Sequence, residues 1–480
     1  ARQLQARVGL VRAQDRRSRE QQDAFWEGLR HQPDVGPLEL RPDERLCAIA
    51  LVKRLFPKVA ESAIGWELDV NRWPSTAGMA AVPWLRRVSQ AAPPQATAFA
   101  EALREVVHRD ALKVSPKAIP ALADLRGPLL GIDANYLQTG FLSDQRLCPF
   151  KNDTTPEQRT TLIQRLKDLQ KASDDHGIRF GSAPVFYALL LADGDRLGQL
   201  VGSLGGDIVG SALAAFTANV PALVEKHDGV TVYAGGDDVL ALLPVPSALA
   251  CAEALAEAYA AVFRQQNARA RATLSAAVVF AQVRLPITAV LGEAHRLLDE
   301  VAKDRNGRDS LAAAVFKRGG LNSLWTTTWR RPGGSGSAAE PPSAVDQLHA
   351  LAGVLRQRLS QPGVSSSLLY RLRDTLGLLC NWPQWEPGSW GQLPGAAAGL
   401  DLLAFLRAEV INSLEDQGVK EAGSLSEQLT DQLLPLLHPA RAATSGAATA
   451  TAAPPSAREV GVDALLLARF LAAPTQEEDA

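Results

Sequence analysis

The sequence has a single methionine, Met79, in 480 residues, and only four cysteines. Cys47, Cys148, Cys251 and Cys380 are scattered, with no C-x-x-C pair. That spacing argues against a zinc cluster built from this chain alone and against a disulfide framework; it reads as buried thiols of a cytoplasmic protein. No sign of charge dominates, since 50 Lys and Arg against 52 Asp and Glu leave a formal net charge of −2. No global basic field therefore advertises nucleic acid, although a local groove or partner subunits can still hold it. No run of about 18 uncharged apolar residues is present, so no membrane span is expected. The Arg-rich start of the chain has no apolar core of a secretory signal. A chain that opens on Ala1 and holds one methionine reads as a trimmed fragment with an N-terminal domain missing.

What is present is an ordinary globular composition, 46% hydrophobic and 21% charged, in a chain too long for one core. Residues 1–180 read mostly as helix and loop, with room for a remnant of a further domain. A basic helical stretch runs from Arg2 to Glu27 and an apolar helix from Arg45 to Val59. Trp73-Pro74-Ser75-Thr76 is a turn with a helix N-cap at Ser75 or Thr76. Further helical patterns cover Thr97 to His108 and Thr155 to Asp174.

The period changes at Ala183. Val185 to Ala192 is a continuous apolar run of strand length, as expected for a strand covered on both faces. A helix follows from Ile208 to His227. Val230 to Ala234 and Val239 to Val245 are short strands around Gly235-Gly236-Asp237-Asp238, a hairpin. Then come a helix (Ser247 to Gln266), a strand (Ala272 to Gln282), a helix (Ile287 to Lys303) and a strand (Ser310 to Lys317). The first six elements are the split βαβ, ferredoxin-like arrangement of a polymerase or cyclase palm, placed at residues 181–325. The expected fold class is thus α+β, a palm flanked by helical regions. Residues 326–343 read as a linker containing Arg331 to Ser337, and 344–480 as a Leu-rich helical domain interrupted by an Ala/Thr-rich loop at Ala442 to Ser456.

Two acidic clusters sit at matching places in this pattern. Asp193-Gly194-Asp195 ends the first strand, and Gly235-Gly236-Asp237-Asp238 forms the hairpin turn. In split βαβ topology the first strand lies beside the hairpin, so the strand end and the turn meet at one edge. Like charges at about 4 Å repel by about 4 kcal/mol at an effective dielectric of about 20, a cost that a hard divalent cation removes. Magnesium takes one or two carboxylates and leaves positions for water and phosphate oxygens. Two metals about 3.5–4 Å apart would activate a hydroxyl and stabilise a leaving pyrophosphate. Either cluster alone is commonly a turn, because Gly and Asp are ordinary turn residues; their conjunction, each straight after an apolar strand, points to a metal site. Gly235 and Gly236 leave backbone open to close approach by a base or phosphate. Lys303, near the end of its helix, is either a phosphate contact or a solvated lysine favoured by the helix dipole. Ser275 either lines a base pocket or is a buried strand serine. His176, His227 and His295 show no metal-ligand spacing.

The segments LLLADGDRLGQLVG, VYAGGDDVLALLP and LSAAVVFAQVRLPITAVLGEAHRLLDEVAKDRNGRD resemble the cyclase palm of the large subunit of type III CRISPR effector complexes. Upstream, PDERLCAIALVKRLFP and WPSTAGMA resemble the Cmr (III-B) type. The resemblance implies conversion of ATP to cyclic oligoadenylate with magnesium or manganese when guide RNA pairs with a foreign transcript. It implies Asp193, Asp237 and Asp238 as metal ligands, the Gly194 carbonyl as a helper, Gly235 and Gly236 beside the nucleotide, and Lys303 on phosphate. The implied partners are guide and target RNA, the subunit gripping the guide's 5′ end and the small helical subunit. Three departures stand out: no HD nuclease domain is legible, no Cys-rich zinc insertion, and one palm where the family pairs two. The only His-Asp dipeptide, His227-Asp228, falls between a helix and a strand, where a turn is expected. Two other readings are a diguanylate-type cyclase, which would use GTP, and a silent palm retained as a scaffold.

Overall fold

The computed structural model describes residues 18–31, 46, 50–56, 65, 74–108, 118–144, 148–329, 342–357, 365–382, 385–393, 401–419, 422–438 and 459–473. Most of the two N-terminal helices expected at Arg2–Glu27 and Arg45–Val59, the Arg331–Ser337 linker and the Ala442–Ser456 loop lie outside them. The N-terminal region holds helices α1 (Arg19–Arg30), α2 (Thr76–Ala91), α3 (Pro94–Val106) and α4 (Pro156–Lys171), besides shorter turns. The caps are local chemistry: Ser75 Oγ accepts the Gly78 N–H at the start of α2, and Thr155 and Gln158 form a capping box on α4.

The palm follows as β1 (Phe186–Gly194), α5 (Leu197–Leu204), α6 (Gly206–Lys226), β2 (Val230–Gly235), β3 (Asp238–Pro244), α7 (Ala248–Gln266), β4 (Leu274–Gln282), α8 (Ile287–Arg296), a π-helical segment (Leu297–Arg305), β5 (Ser310–Lys317) and β6 (Gly320–Thr328). The sheet order is β2-β3-β1-β4-β5-β6. Its first four strands are the ferredoxin-like set, antiparallel throughout, and β5 joins β4 in parallel. β1 is apolar at successive positions because both sheet faces are covered. Ala188, Leu190 and Ala192 enter the core under α6 and α7, while Tyr187, Leu189 and Leu191 enter the core under α2, α8 and the π segment.

Three features depart from the sequence reading. The short helix α5 directly follows the first acidic cluster. The helix expected at Ile287–Lys303 is α-helical only to Arg296 and then π-helical, with Asn306 N–H reaching Val301 O, five residues back. The wider turn lets Leu297, Leu298, Val301 and Ala302 all bury against the sheet. Finally, the chain does not leave the palm after β5. It reverses at Gly320 into β6, whose Ser323 to Thr328 are buried, so the residues expected to open the linker are edge strand.

The C-terminal region comprises α9 (Ala344–Gln357), α10 (Ser366–Leu379), α11 (Leu402–Glu415), α12 (Ala422–Leu437) and α13 (Asp463–Ala472). These helices continue the core that begins under α6 and α7. Phe470 on α13 meets Phe186 and Phe280 with ring centroids 5.1 and 5.4 Å away. Two stretches, Gly206–Lys226 and Val245–Gln266, are long and apolar enough to cross a membrane by length and composition. Here that character covers the sheet: Val209, Ala212 and Phe216 of the first and Leu249, Ala252 and Leu255 of the second enter the core.

Candidate metal centre at the palm edge

β1 is central and antiparallel to β3, with Ala192 opposite Val239. The residue after Ala192 and the residue before Val239 therefore leave the sheet side by side. They are Asp193 and Asp238. The hairpin closes on the pair Gly235 and Asp238, leaving Gly236 and Asp237 as its two-residue turn. Gly236 has φ +66°, the left-handed first position that a two-residue hairpin of this kind assigns to glycine. Thr217 Oγ1 on α6 donates to Gly236 O at 3.2 Å and fixes the turn from behind. One oxygen each from Asp193, Asp237 and Asp238 lies within 4.8 Å of the others.

Gly194 makes this convergence sterically possible. A Cβ there would collide with the Tyr259 hydroxyl and come within 2.8 Å of Asp237 Cβ. At Gly235 a Cβ would collide with the hydroxyl of Tyr233, whose ring folds along β2 toward the turn. Both glycines mark close approaches rather than flexible points.

The electrostatics are those of acids sharing too little counter-charge. Burial, the hydrogen bond with Asp193 and the charges of Asp193 and Asp237 push the Asp238 carboxyl up to about 6. Asp237 is raised chiefly by burial, with the Asp193 charge adding to it. Lys303 offsets part of the repulsion. Its Nζ lies 2.6 Å from Asp193 Oδ2 and 3.3 Å from Asp299 Oδ1. Burial works against its charge, yet the hydrogen bonds and charges of Asp193 and Asp299 outweigh that and raise its pKa. The π segment delivers this lysine to the acids from the opposite side of the sheet to α7. Its side chain is 17% exposed, so it is not the solvated helix-end lysine that was one of its two readings. Its contact here is carboxylate.

Two residues beside the acidic edge are held by one another. Asp195, the fourth carboxylate of the expected cluster, turns inward and is 4% exposed. It accepts Thr273 Oγ1 at 2.8 Å, Ser275 Oγ at 2.8 Å and the Asp309 N–H at 3.0 Å. Its role is to tie the end of β1 to β4 and to the turn entering β5. Of its two readings, Ser275 fits the buried strand serine: it is fully buried with its hydroxyl donated to Asp195, and it supports that tie. The alternation along β1 would not have separated Asp193 from Asp195, because both fall on the same parity; the difference arises after the strand ends. Thr217 and Tyr259 carried no sequence signal, since each is a single polar group within an apolar helix.

Three carboxylates at this spacing, two of them with pKa raised chiefly by burial and then by their charged neighbours, form a group that could hold a metal ion. The oxygens lie at the surface edge of the sheet, where a phosphate chain can reach them.

Residues 186–312 match the family described as Cas10/Cmr2, second palm domain. Among curated proteins, the Cmr2 subunit of the CRISPR Cmr system of Pyrococcus furiosus is 30% identical over 178 residues, covering 31% of this chain and 20% of the relative. The Cmr2 subunit of Saccharolobus solfataricus is 28% identical over 181 residues, covering 31% of this chain and 17% of the relative. The chain thus spans about a fifth of the length of the curated relatives it matches. Among solved structures, a chain of the type III-B Cmr-beta complex bound to cognate target RNA is similar over 79% of this chain and 48% of its own, at 15% identity and a TM-score of 0.45.

Proposed function

We propose, from the premise that this chain belongs through its palm to the Cas10/Cmr2 family, that it acts in the large subunit of an RNA-guided type III CRISPR complex and converts ATP to cyclic oligoadenylate when target RNA is bound. The observation that carries the chemical part is the meeting of Asp193, Asp237 and Asp238 within 4.8 Å. A scaffold has no use for three mutually repelling acids at an open edge. In this reading Asp193, Asp237 and Asp238 hold Mg²⁺ or Mn²⁺. The bound cation supplies positive charge to triphosphate oxygens and eases loss of a proton from a ribose hydroxyl.

The chain's own residues do the rest. Gly236, open on its outer side, lets a triphosphate approach the turn backbone. Lys303, paired with Asp193 here, would be free to turn its ammonium to phosphate if that carboxylate held a cation. Attack of a ribose hydroxyl of one ATP on the α-phosphate of another forms the new phosphodiester and releases pyrophosphate. The second ATP requires a second palm, contributed by sequence outside this chain or by another copy. The partners of the reading are guide and target RNA, the subunit at the guide's 5′ end and the small helical subunit, in the cytoplasm.

The test is incubation of the assembled complex with radiolabelled ATP and Mg²⁺, with and without target RNA, beside a GTP arm. Oligoadenylate made only with target RNA is expected. Product from GTP instead would favour a diguanylate-type cyclase. A complete complex that turns over neither nucleotide would reduce the palm to a scaffold.

A further inference from the structure

Behind the acidic edge, on the side away from Lys303, lies a group that the reaction as described does not use. Tyr259, midway along α7, is fully buried. Its ring is held edge-on to Phe216 at 5.0 Å and tilted against Phe263 at 5.0 Å, so it has one orientation. Its hydroxyl has no hydrogen-bond partner among the described residues. A buried hydroxyl left unpaired costs about 1–3 kcal/mol, and native cores rarely keep one without a reason. Phenylalanine would fill the same space without that cost.

The position of the oxygen supplies the reason. It occupies the space that a side chain at Gly194 would take, and Asp237 Cβ borders the same space. Burial raises the Tyr259 pKa, and the charges of Asp237, Asp195 and Asp193 raise it further. The phenol therefore keeps its proton at neutral pH and can only be a donor toward these acids. Asp195 already accepts three donors, and Asp193 accepts Lys303. Asp237 is the carboxylate with room, and its Cβ already borders the space that the hydroxyl occupies.

We propose that Tyr259 is a positioning residue for the metal centre: its buried hydroxyl donates to the Asp237 carboxylate when that carboxylate turns to ligate a divalent cation. This rests on the cation reading given above. The hydroxyl has no partner among the described residues with Asp237 as it stands and would gain one when Asp237 turns to a cation, which would relieve its burial cost. The hydrogen bond fixes which Asp237 oxygen faces the cation, as outer partners of metal-bound carboxylates do. It also explains why position 194 has no side chain, since any Cβ would displace the hydroxyl.

The test uses the purified chain and Mn²⁺ as the probe, followed by electron paramagnetic resonance titration, with thermal melting in the presence and absence of metal. Tyr259→Phe keeps the ring packing and removes only the oxygen. Its metal-free melting temperature is expected to equal or exceed that of the parent, while its Mn²⁺ affinity falls about 10-fold, as loss of an outer partner of a metal ligand commonly produces. Equal Mn²⁺ affinity in parent and variant would overturn the proposal and leave the cation site standing. A variant that melts well below the parent without metal would also overturn it, by showing that the hydroxyl has a structural partner in the metal-free fold. If the parent binds no Mn²⁺, or if Asp237→Ala binds as well as the parent, the cation reading itself fails and this inference with it.

Discussion

The palm and the C-terminal helices share one hydrophobic core yet are built to different ends. In the palm, polar groups converge. The ends of β1 and of the β2–β3 hairpin bring three acids to one edge, and the π segment adds a lysine. In the C-terminal region the polar groups tie rather than converge. Asp463 at the head of α13 accepts the Leu324 N–H of β6 at 2.8 Å and the Gly388 N–H at 3.0 Å. Arg305, the last residue of the π segment, donates to Gly388 O. The helical region thus grips the palm at its far edge strand and at the end of the segment that carries Lys303. One region gathers carboxylates at an open edge, and the other buries a carboxyl group that ties the two together.

The sharpest way to break this contrast is to remove the acids from the first region only. Asp237→Ala with Asp238→Ala should reduce ATP turnover to background while far-UV circular dichroism stays that of the parent. In metal-free buffer at neutral pH the double variant should melt no lower than the parent, because both carboxyls are destabilised by their surroundings. Residual turnover above background would remove the site assignment.

A comparable loss, now in stability, is expected from the other region. Leu467 on α13 is fully buried, and Leu467→Ala should cost about 2–5 kcal/mol. Because the core is continuous, amide exchange in β1 should quicken together with that of α13. Unchanged β1 protection would show that the helices are a separate unit docked on the palm.

A smaller effect is expected from Lys303→Gln. Turnover should fall about 10²-fold, the scale of losing one positioned donor to developing charge. Metal-free stability should also drop, since Asp193 loses its counter-charge, and added Mn²⁺ should raise the melting temperature by more in the variant than in the parent. An identical Mn²⁺ response would mean that the lysine and the cation do not compete for the same carboxylate.

The mildest effect is a pH profile. Burial pushes the Asp463 carboxyl up to about 7, partly opposed by its two backbone N–H bonds and by Arg305. Its unfolded value is about 3.9. Between those two pH values the folded state holds a proton that the unfolded state has released, so this group lowers stability as pH rises toward about 7 and adds no slope above it. Asp238, raised to about 6, acts with the same sign over a narrower window. Asp463→Asn should flatten the profile between about pH 6 and pH 7, leaving the Asp238 contribution below. A profile with the same slope as the parent would show that Asp463 ionises normally.

The same contrast explains what was legible in the sequence. In the palm, period and punctuation agree: an apolar run that ends in Asp193-Gly194-Asp195 and a glycine-led turn between two strands leave few arrangements. The hairpin was therefore placed to within a residue or so. What escaped was what depends on the third dimension. Asp193 and Asp195 look equivalent in sequence, yet one faces outward and the other is saturated by Thr273, Ser275 and the Asp309 N–H. The strand β6 has no counterpart in the sequence reading, which opens a linker at residue 326, although Trp325 and the threonines after it are strand formers. The π segment has no signature of its own, since α and π turns use the same residues. In the C-terminal region helical spacing gives the helices, but Asp463 carries no signal of its own, because its partners in β6 and at Gly388 are far away in sequence.

The central claim is that Asp193, Asp237 and Asp238 close around a shared cation. Crystals soaked with Mn²⁺ and a non-hydrolysable ATP analogue, measured at the manganese absorption edge, test it directly. The expected result is an anomalous peak bounded by those three carboxylates, with the triphosphate against it and Lys303 moved from Asp193 to phosphate. Bound nucleotide with no peak there, and Lys303 still paired to Asp193, would contradict it.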